Sequence, residues 1–578
     1  MNRNTNAHFA NLPNVDIQRS VLDRSHSHKT SGNVGQLIPI YCDPDIMPGD
    51  TVSMDTSKVI RFQTLLTPMM DNCQCDIYWF FVPHRLIWDH WPNFMGENDQ
   101  SPWIPQTEYT IPQLVVPRKS TSGTFDKTGT ILDYIGYPVG MNDDHDVHIS
   151  ALPTRAYAKT VNDWYIAESV NDPVNLYTGD NDQTATETGN GYVDDCAVGG
   201  WPFIAAKYHD YFTSALPSPQ KGDPVSISVN GISLPVIGTT GNAYDASLTN
   251  AYSWTSNAGT GHNKNMVMHG VGNTSANQYT DFAKNKTSDT SMNSVGWTTF
   301  DTAVSNTAST FWMLEPANLW TAAPQGLSFT VNDMRYAFAL QKLLERDARG
   351  GTRYIEVIRS HFGVISPDAR MMRSEYLGGN RFAITVDQVS NTAQGEQDFL
   401  GDLGAFSVSS DVHSDFTHSF TEHGTLLGLM VIRYDHTYSQ GLPQYFSRKS
   451  RFDFYWPVFA NIGEQPIYKK ELFFDGTQND EPFGYQEAWA SYRYAPNKTS
   501  GEMRPYVSNG LYSWTLADDY ASEPSLSAGW LKEDKTNVDR VLAVTSANAN
   551  QFWADIYFNA KYTRPMPVFS IPGLIDHN

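Results

Sequence analysis

The longest apolar stretches of this chain have the length of a β-strand. LLGLMVI at 426–432 is one, and CQCDIYWFFVP at 73–83, which ends at a proline, is another. Because side chains alternate between the two faces of a strand, the odd positions of the second stretch form one apolar face. These positions are Cys73, Cys75, Ile77, Trp79 and Phe81. Short apolar runs separated by Gly- and Pro-rich segments predict a mainly β chain with long loops.

The composition agrees with this pattern and limits the function. Of 578 residues, 18% are charged, against about 25% in a typical globular chain. The formal net charge is −22. We do not expect so acidic a chain to coat DNA or an anionic membrane unaided, because phosphate binding requires Lys and Arg. A local basic surface or a small basic partner would have to neutralise any bound nucleic acid.

The cysteines and the apolar runs indicate the compartment. Cys42, Cys73, Cys75 and Cys196 are too few for a disulfide framework in a chain of this length. Reduced thiols in a cytoplasmic product are the simpler interpretation. The first residues contain no apolar run, and no window approaches about 18 consecutive apolar residues, so we predict neither a secretory signal nor a transmembrane helix.

Residues 1–41 are polar and predict an N-terminal arm. Two interpretations remain open for it, a solvated terminus and a segment that contacts nucleic acid. The basic residues that favour the second interpretation are Arg3, Arg19, Arg24 and Lys29.

Two segments predict helices inserted between strands, at 152–169 and at 329–351. In the second segment, Thr330 and Asp333 have the spacing of a capping box, and Gly350 indicates the C-terminal end. Its apolar face is predicted to consist of Met334, Ala337, Phe338 and Leu344.

Residues 225–310 form a long stretch rich in Gly, Asn, Thr and Ser, with few charges. A loop of this length inside a domain is either functional or disordered. Interleaved aromatic residues favour a folded surface excursion, because disordered tracts have few of them. Such an excursion suits binding to another molecule, with a glycan as one candidate, and its candidate contact residues are Tyr252, Trp254, His262, Tyr279, Phe282 and Trp297.

The segment 73–90 also has the spacing C-x-C-x8-H-x5-H. Zinc sites usually have C-x2-4-C pairs, so we favour cysteines that fill the core and predict no metal or other cofactor. The acidic run at 177–195 leaves a bound divalent cation open, although it lacks the Gly and the final Glu of an EF-hand loop. We find no nucleophile motif, and we predict that the chain is not an enzyme.

A basic cluster, SRKSR at 447–451, precedes the aromatic run FDFYW. Cations beside aromatic rings suit phosphate contact and base stacking, so Arg448, Lys449 and Arg451 are candidate DNA contacts. The alternative is that the aromatic residues form the core of a strand and that the basic residues face solvent or a neighbouring subunit.

Long segments in a fixed order carry a family resemblance. They include MDNCQCDIYWFFVPHRLIWDHWPNFMGE at 70–97, LLERDARGGTRYIEVIRSHFGVISPDARMMRSEYLGG at 343–379 and ADIYFNAKYTRPMPVFSIPGLIDHN at 554–578. The stretch at 419–472, which begins SFTEHGTLLGLMVIRYDHTYSQ, is another. Together they resemble the major capsid proteins of microviruses, icosahedral bacteriophages with single-stranded DNA, and are closest to the gokushovirus branch.

The resemblance implies a mainly β fold, with one eight-stranded antiparallel jelly roll of the viral capsid type, long loops and inserted helices. Residues 42–224 and 311–578 would form the jelly-roll core and the C-terminal tail. Residues 225–310 would form a protrusion at the three-fold axes, and we predict that its candidate contact residues bind a host surface receptor. About sixty copies would build an icosahedral T=1 shell.

The resemblance also implies the partners and the location. The chain would act with a small basic DNA-packaging protein, an internal scaffolding protein, a pilot protein and single-stranded DNA. Assembly would take place in the bacterial cytoplasm, and the product would be the virion capsid. A secreted type of β-rich carbohydrate-binding protein or glycosidase is the rival interpretation, which the abundant Trp, Asn and acidic residues would suit.

Overall fold

The structure is a computed structural model. It describes residues 18–97, 108–118, 128–141, 145–187, 195–225, 330–351, 353–392, 400–476, 480–508 and 510–569, and the backbone of five short strands between 236 and 321. The chain divides into two compact units. The first contains Met1–Asp223 and Lys342–Asn578, and the second contains Pro224–Gln341.

Two antiparallel sheets dominate the first unit. Their strands are β1 Ser20–Asp23, β2 His26–Gly32, β3 Ile38–Ile46, β4 Thr51–Phe62, β5 Cys73–Pro83, β6 Glu375–Ala383, β7 Ser409–Ser419, β8 Gly424–Tyr434 and β9 Phe552–Arg564. In the first sheet, β1 and β2 both pair with β9, which is followed by β4 and β7. In the second sheet the order is β6, β5, β8 and β3. The mainly β prediction is confirmed.

The main core lies between the two sheets. Along β9, buried residues alternate with exposed or half-buried ones over the whole strand, as a sheet with one solvent-facing side requires. The predicted apolar face of β5 is confirmed, since all five of its odd positions are buried in this core. The Trp79 ring lies 5.3 Å from Tyr41 of the second sheet and 5.4 Å from Phe416 of the first. Aromatic packing thus connects the two sheets.

The outer face of the second sheet is covered by helix α1, Leu152–Trp164. Tyr157 and Val161 of this helix pack with Phe80 of β5 and Leu429 of β8. β5 is therefore buried on both faces, which explains why its sequence is almost continuously apolar. The helix predicted at 152–169 is confirmed, but it ends five residues earlier because the chain turns after Trp164.

Helix α2, Val331–Gly350, confirms the second predicted helix and its capping box. The N–H of Asp333 donates to the Thr330 hydroxyl, and the N–H of Thr330 donates to the Asp333 carboxylate, both at 3.1 Å. No residue of α2 is buried, and Phe338 of the predicted apolar face is 67% exposed. Helix α3, Tyr354–Phe362, was not predicted.

Smaller elements complete the first unit. Its short helices are Trp91–Phe94, Ile131–Ile135, Ala490–Arg493, Ala528–Leu531 and Thr536–Asp539. Its short strands are Gln113–Val116, Val147–Ser150, Gln183–Thr184, Val386–Ser390, Leu403–Ser407, Glu464–Tyr468 and Pro482–Glu487. Within the described ranges, no helix combines the length and the apolar character needed to cross a membrane.

The second unit contains short paired strands. Val267–Val271 pairs with Tyr279–Asp281 and with Met313–Pro316, and Val236–Gly238 pairs with Leu319–Thr321. Strands beyond residue 310 thus pair with strands inside the predicted excursion, and the unit extends to Gln341.

The N-terminal segment, which the sequence predicts to be a polar arm, contributes two strands to the first sheet. Its residues from Ser20 to Gly32 form β1 and β2, which pair with β9. Strand pairing between the two ends of a chain cannot be read from either segment alone.

Candidate interaction surfaces

A basic–aromatic surface is formed by residues 445–462 and Tyr492. The guanidinium carbon of Arg448 lies 4.3 Å from the centroid of the Tyr492 ring and 5.5 Å from that of Phe454. The backbone N–H of Tyr455 donates to the Tyr492 hydroxyl at 3.3 Å. A planar guanidinium over an aromatic face is attracted by the ring electrons and remains able to bind an anion at its edge.

A capped turn orders the basic residues of this surface. Arg451–Asp453 forms a 3₁₀ turn with Ser450 as its N-cap residue. One carboxylate oxygen of Asp453 accepts hydrogen bonds from the backbone N–H groups of Ser450 and Lys449, both at 2.7 Å. These hydrogen bonds lower the pKa of Asp453. The cluster SRKSR therefore forms an ordered turn that is held by hydrogen bonds.

The aromatic residues of the basic–aromatic surface are exposed. The interpretation that FDFYW forms the core of a strand is wrong, because the backbone there makes two 3₁₀ turns, Arg451–Asp453 and Pro457–Phe459. The exposed apolar side chains are Tyr445, Phe446, Phe452, Phe454, Tyr455, Trp456, Val458 and Ile462. An exposed apolar patch of this kind marks an interaction site. DNA contact by Arg448, Lys449 and Arg451 stays a prediction.

The described basic residues of the N-terminal segment belong to the first sheet or border it. Arg24 forms an ion pair with the buried Asp43. Lys29 lies 3.3 Å from a carboxylate of β9, and both groups are exposed to water. Arg19 is exposed just before β1, and Arg3 lies outside the described residues. Arg24 thus has a structural partner, whereas nucleic-acid contact by all four residues stays a prediction.

The predicted receptor contacts fall in the second unit. The backbone of Tyr279 begins the strand Tyr279–Asp281 and pairs with His269. The other candidates, Tyr252, Trp254, His262, Phe282 and Trp297, lie outside the described residues. Receptor binding therefore stays a prediction.

The cysteines of the segment 73–90 lie in the core. Burial raises the pKa of Cys73 and of Cys75 above the usual value, so both thiols stay protonated. His84 is buried beyond Pro83, and its Nε2 lies 3.2 Å from the Thr425 hydroxyl. Burial lowers the pKa of His84 to about 4. In the described part of the chain, no three His, Cys, Asp or Glu side chains are arranged to hold a metal ion.

An ionic cluster around His436 was missed by the sequence analysis. His436 Nδ1 lies 2.8 Å from Asp518 and Nε2 lies 2.9 Å from Glu533, and all three side chains are buried. Burial alone would lower the pKa of His436, but the two carboxylates outweigh it and raise the pKa to about 9. Because the partners lie 82 and 97 positions away, no local motif could have revealed the cluster.

Comparison with known proteins identifies the family. The family model described as "Capsid protein (F protein)" matches residues 10–574. The "Capsid protein VP1" of Chlamydia phage 1 and that of Spiroplasma virus 4 are each 36% identical to this chain, covering 98% of it and 97% of the relative. The "Capsid protein VP1" of Bdellovibrio phage phiMH2K is 35% identical with the same coverage. The chain therefore belongs to the capsid protein (F protein) family.

Proposed function

We infer that this chain is the major capsid protein of a microvirus of the gokushovirus type, and hence a component of the virion. The observation that carries this function is the family match over residues 10–574, which includes both large sheets. Three relatives named as capsid proteins align over nearly their whole length with it. This assignment favours a structural protein over the glycosidase or lectin that was the rival interpretation.

We propose that β2 to β9 form one eight-stranded jelly roll. The pairing of these strands supports this fold, because they pair in a nested way: β2 with β9, β3 with β8, β4 with β7 and β5 with β6. In such a ladder, the four strands β2 to β5 run antiparallel to the four strands β6 to β9, as the two arms of one long hairpin do. The further pairs, β4 with β9 and β5 with β8, then bring the rolled ladder into two sheets.

We propose that about sixty copies close into an icosahedral shell, as symmetric self-association of one chain allows. The exposed apolar side chains of the basic–aromatic surface support extensive contact with other molecules, since aromatic residues and Arg are enriched in interfaces. The test is expression of the chain with its scaffolding partner, followed by sedimentation. We expect fast-sedimenting particles, and a chain that stays monomeric under assembly conditions contradicts the proposal.

We propose that Arg448, Lys449 and Arg451 contact the packaged single-stranded DNA, while a small basic packaging protein neutralises most of its charge. The support is the geometry of cations held beside exposed rings. Particles of the variant Arg448→Ala/Arg451→Ala should contain less DNA than particles of the matched variant Arg370→Ala, in which an exposed Arg elsewhere is removed. Equal DNA content in both excludes this role for the two residues.

We propose that the region 225–310 attaches the particle to its host. Its length, its Gly- and Asn-rich composition and its interleaved aromatic residues support this function. Particles that lack the region should assemble but adsorb poorly to host cells. Adsorption at the level of the intact particle contradicts the proposal, whereas failure to assemble would assign the region to shell formation instead.

A further inference from the structure

Lys58 places an amine on the inward face of β4, where the pattern of the strand calls for an apolar residue. Its side chain is 0% exposed. Its Nζ lies 2.9 Å from the Thr56 hydroxyl, 3.0 Å from Oδ1 of Asn380 and 3.0 Å from Oδ2 of Asp411. Removing an amine from water has a cost even when its hydrogen bonds are satisfied. A residue that breaks the local pattern in this way is a candidate for function.

Three strands from both sheets bring the groups together. Asp411 on β7 is the register partner of Lys58 on β4, so both belong to the first sheet. Asn380 lies on β6 in the second sheet, and its side-chain N–H donates to Oδ2 of Asp411 at 2.6 Å. The same carboxylate oxygen is therefore within hydrogen-bonding distance of the Lys58 amine and of the Asn380 amide nitrogen.

We propose that Lys58 and Asn380 become joined by an isopeptide bond that the folded chain forms by itself, with Asp411 carrying the protons. A proton first passes from the Lys58 ammonium to the Asp411 carboxylate. The free amine then attacks Cγ of Asn380 and forms the new C–N bond. As the bond from Cγ to the amide nitrogen breaks, that nitrogen takes up the proton of Asp411, and Asp411 receives the second proton of the amine. The products are a secondary amide, one ammonia molecule and a protonated Asp411.

The geometry meets the proton-transfer requirement of this reaction and places the two reacting groups side by side. A proton carrier has to lie within about 2.6–3.2 Å of both the donor and the acceptor, as the Asp411 oxygen does. The amine lies beside the amide that it attacks. The reaction therefore does not carry the entropic cost of bringing the two groups together. The Phe382 ring, with its centroid 5.5 Å from Nζ, helps to exclude water from the site.

The resting state of the site is the ion pair between Lys58 and Asp411, and this state limits the rate of the reaction. Burial raises the pKa of Asp411, but hydrogen bonds from Lys58 and Asn380 outweigh this effect and lower it. Proton transfer to the Asp411 carboxylate is therefore unfavourable, and the bond forms slowly. Because the reaction takes place once in the life of each chain, a slow rate is sufficient.

The bond would link the two sheets covalently. It joins β4 to β6 and closes a loop between residues 322 positions apart. A cross-link over so long a loop restricts the unfolded chain strongly, by the same reasoning that applies to disulfides. A protein that keeps reduced thiols would gain by this route a covalent connection that does not depend on redox conditions.

Mass spectrometry of the intact full-length chain tests the proposal. The wild-type chain should be lighter than its sequence requires by about 17 Da, the mass of one ammonia molecule. Trypsin should fail to cleave after Lys58, and a branched peptide should contain Lys58 linked to Asn380. Full mass with separate peptides overturns the proposal. A loss of about 17 Da without the branched peptide also overturns it, because an asparagine that cyclises on its own backbone loses the same mass.

Two variants serve as matched controls. Lys58→Arg keeps the cation but removes the amine nucleophile, and Asp411→Asn keeps the shape of the side chain but removes the proton carrier. Both should show the full mass expected for their sequences. A branched peptide that forms in Asp411→Asn to the wild-type extent contradicts the proposed role of Asp411. If either variant fails to fold, the wild-type mass and peptide map alone decide the question.

Discussion

Removing the imidazole of His436 should cost the first unit a large part of its stability. The imidazolium is 1% exposed and lies between two buried carboxylates. In His436→Gln, Asp518 keeps Lys207 at 3.5 Å as its cation, but Glu533 loses the cation that it contacts. Breaking a buried ion pair by removing one partner costs about 3–5 kcal/mol, because a charge is left uncompensated.

The pH dependence gives an independent measure of the same interaction. Raising the pKa of this imidazole from its usual 6.5 to about 9 corresponds to about 3 kcal/mol of stabilisation by the protonated form. Since the folded pKa lies above the unfolded one, this contribution is complete below pH 6.5 and is lost as the pH rises through about 9. The stability of the unassembled chain should therefore fall between these two pH values.

The assay is urea unfolding of the unassembled full chain, followed by tryptophan fluorescence at several pH values. We expect a lower midpoint for His436→Gln at neutral pH and a flatter pH dependence than that of the wild type. His148→Gln, which changes an exposed histidine on a short strand, should match the wild type throughout. A wild-type midpoint that does not change up to pH 9.5, or a His436→Gln midpoint equal to that of the wild type, refutes the reasoning.

Three further predictions concern the packing of the two sheets. Trp79→Ala should lower the free energy of unfolding by about 3–5 kcal/mol, whereas Trp553→Ala, on the exposed face of β9, should change it far less, as urea unfolding will show. Cys73 and Cys75 should not react with a thiol reagent in the native chain and should react once it is unfolded, and rapid native labelling would place them outside the core. Gly379→Ala should abolish particle formation in a sedimentation assay, because its Cβ would lie 2.0 Å from the Ile77 carbonyl oxygen at a φ of +148°; normal yield would contradict that clash.

Local patterns predicted the elements whose cause is local. The alternation along 73–83 predicted β5 and its core face, and the spacing of Thr330 and Asp333 predicted the start of α2. These features depend on neighbours within a few residues, so the sequence displays them directly. The capsid family also followed from long segments of the sequence.

The features that were missed depend on distant partners. The ion pair and the amide contact of Lys58 on a core face depend on Asp411 and Asn380, which lie more than 300 positions away. His436 likewise depends on two remote carboxylates. A strand core and a DNA contact were both open for the run FDFYW, because hydrophobicity alone does not determine which apolar residues remain on the surface of a subunit.

A density map of purified particles tests the central claim most directly. Electron cryo-microscopy should show a small isometric shell of about sixty copies, each with the nested pairs β2–β9, β3–β8, β4–β7 and β5–β6 in two facing sheets. Particles without icosahedral symmetry, or subunits in which these strands pair in a different order, would contradict the account.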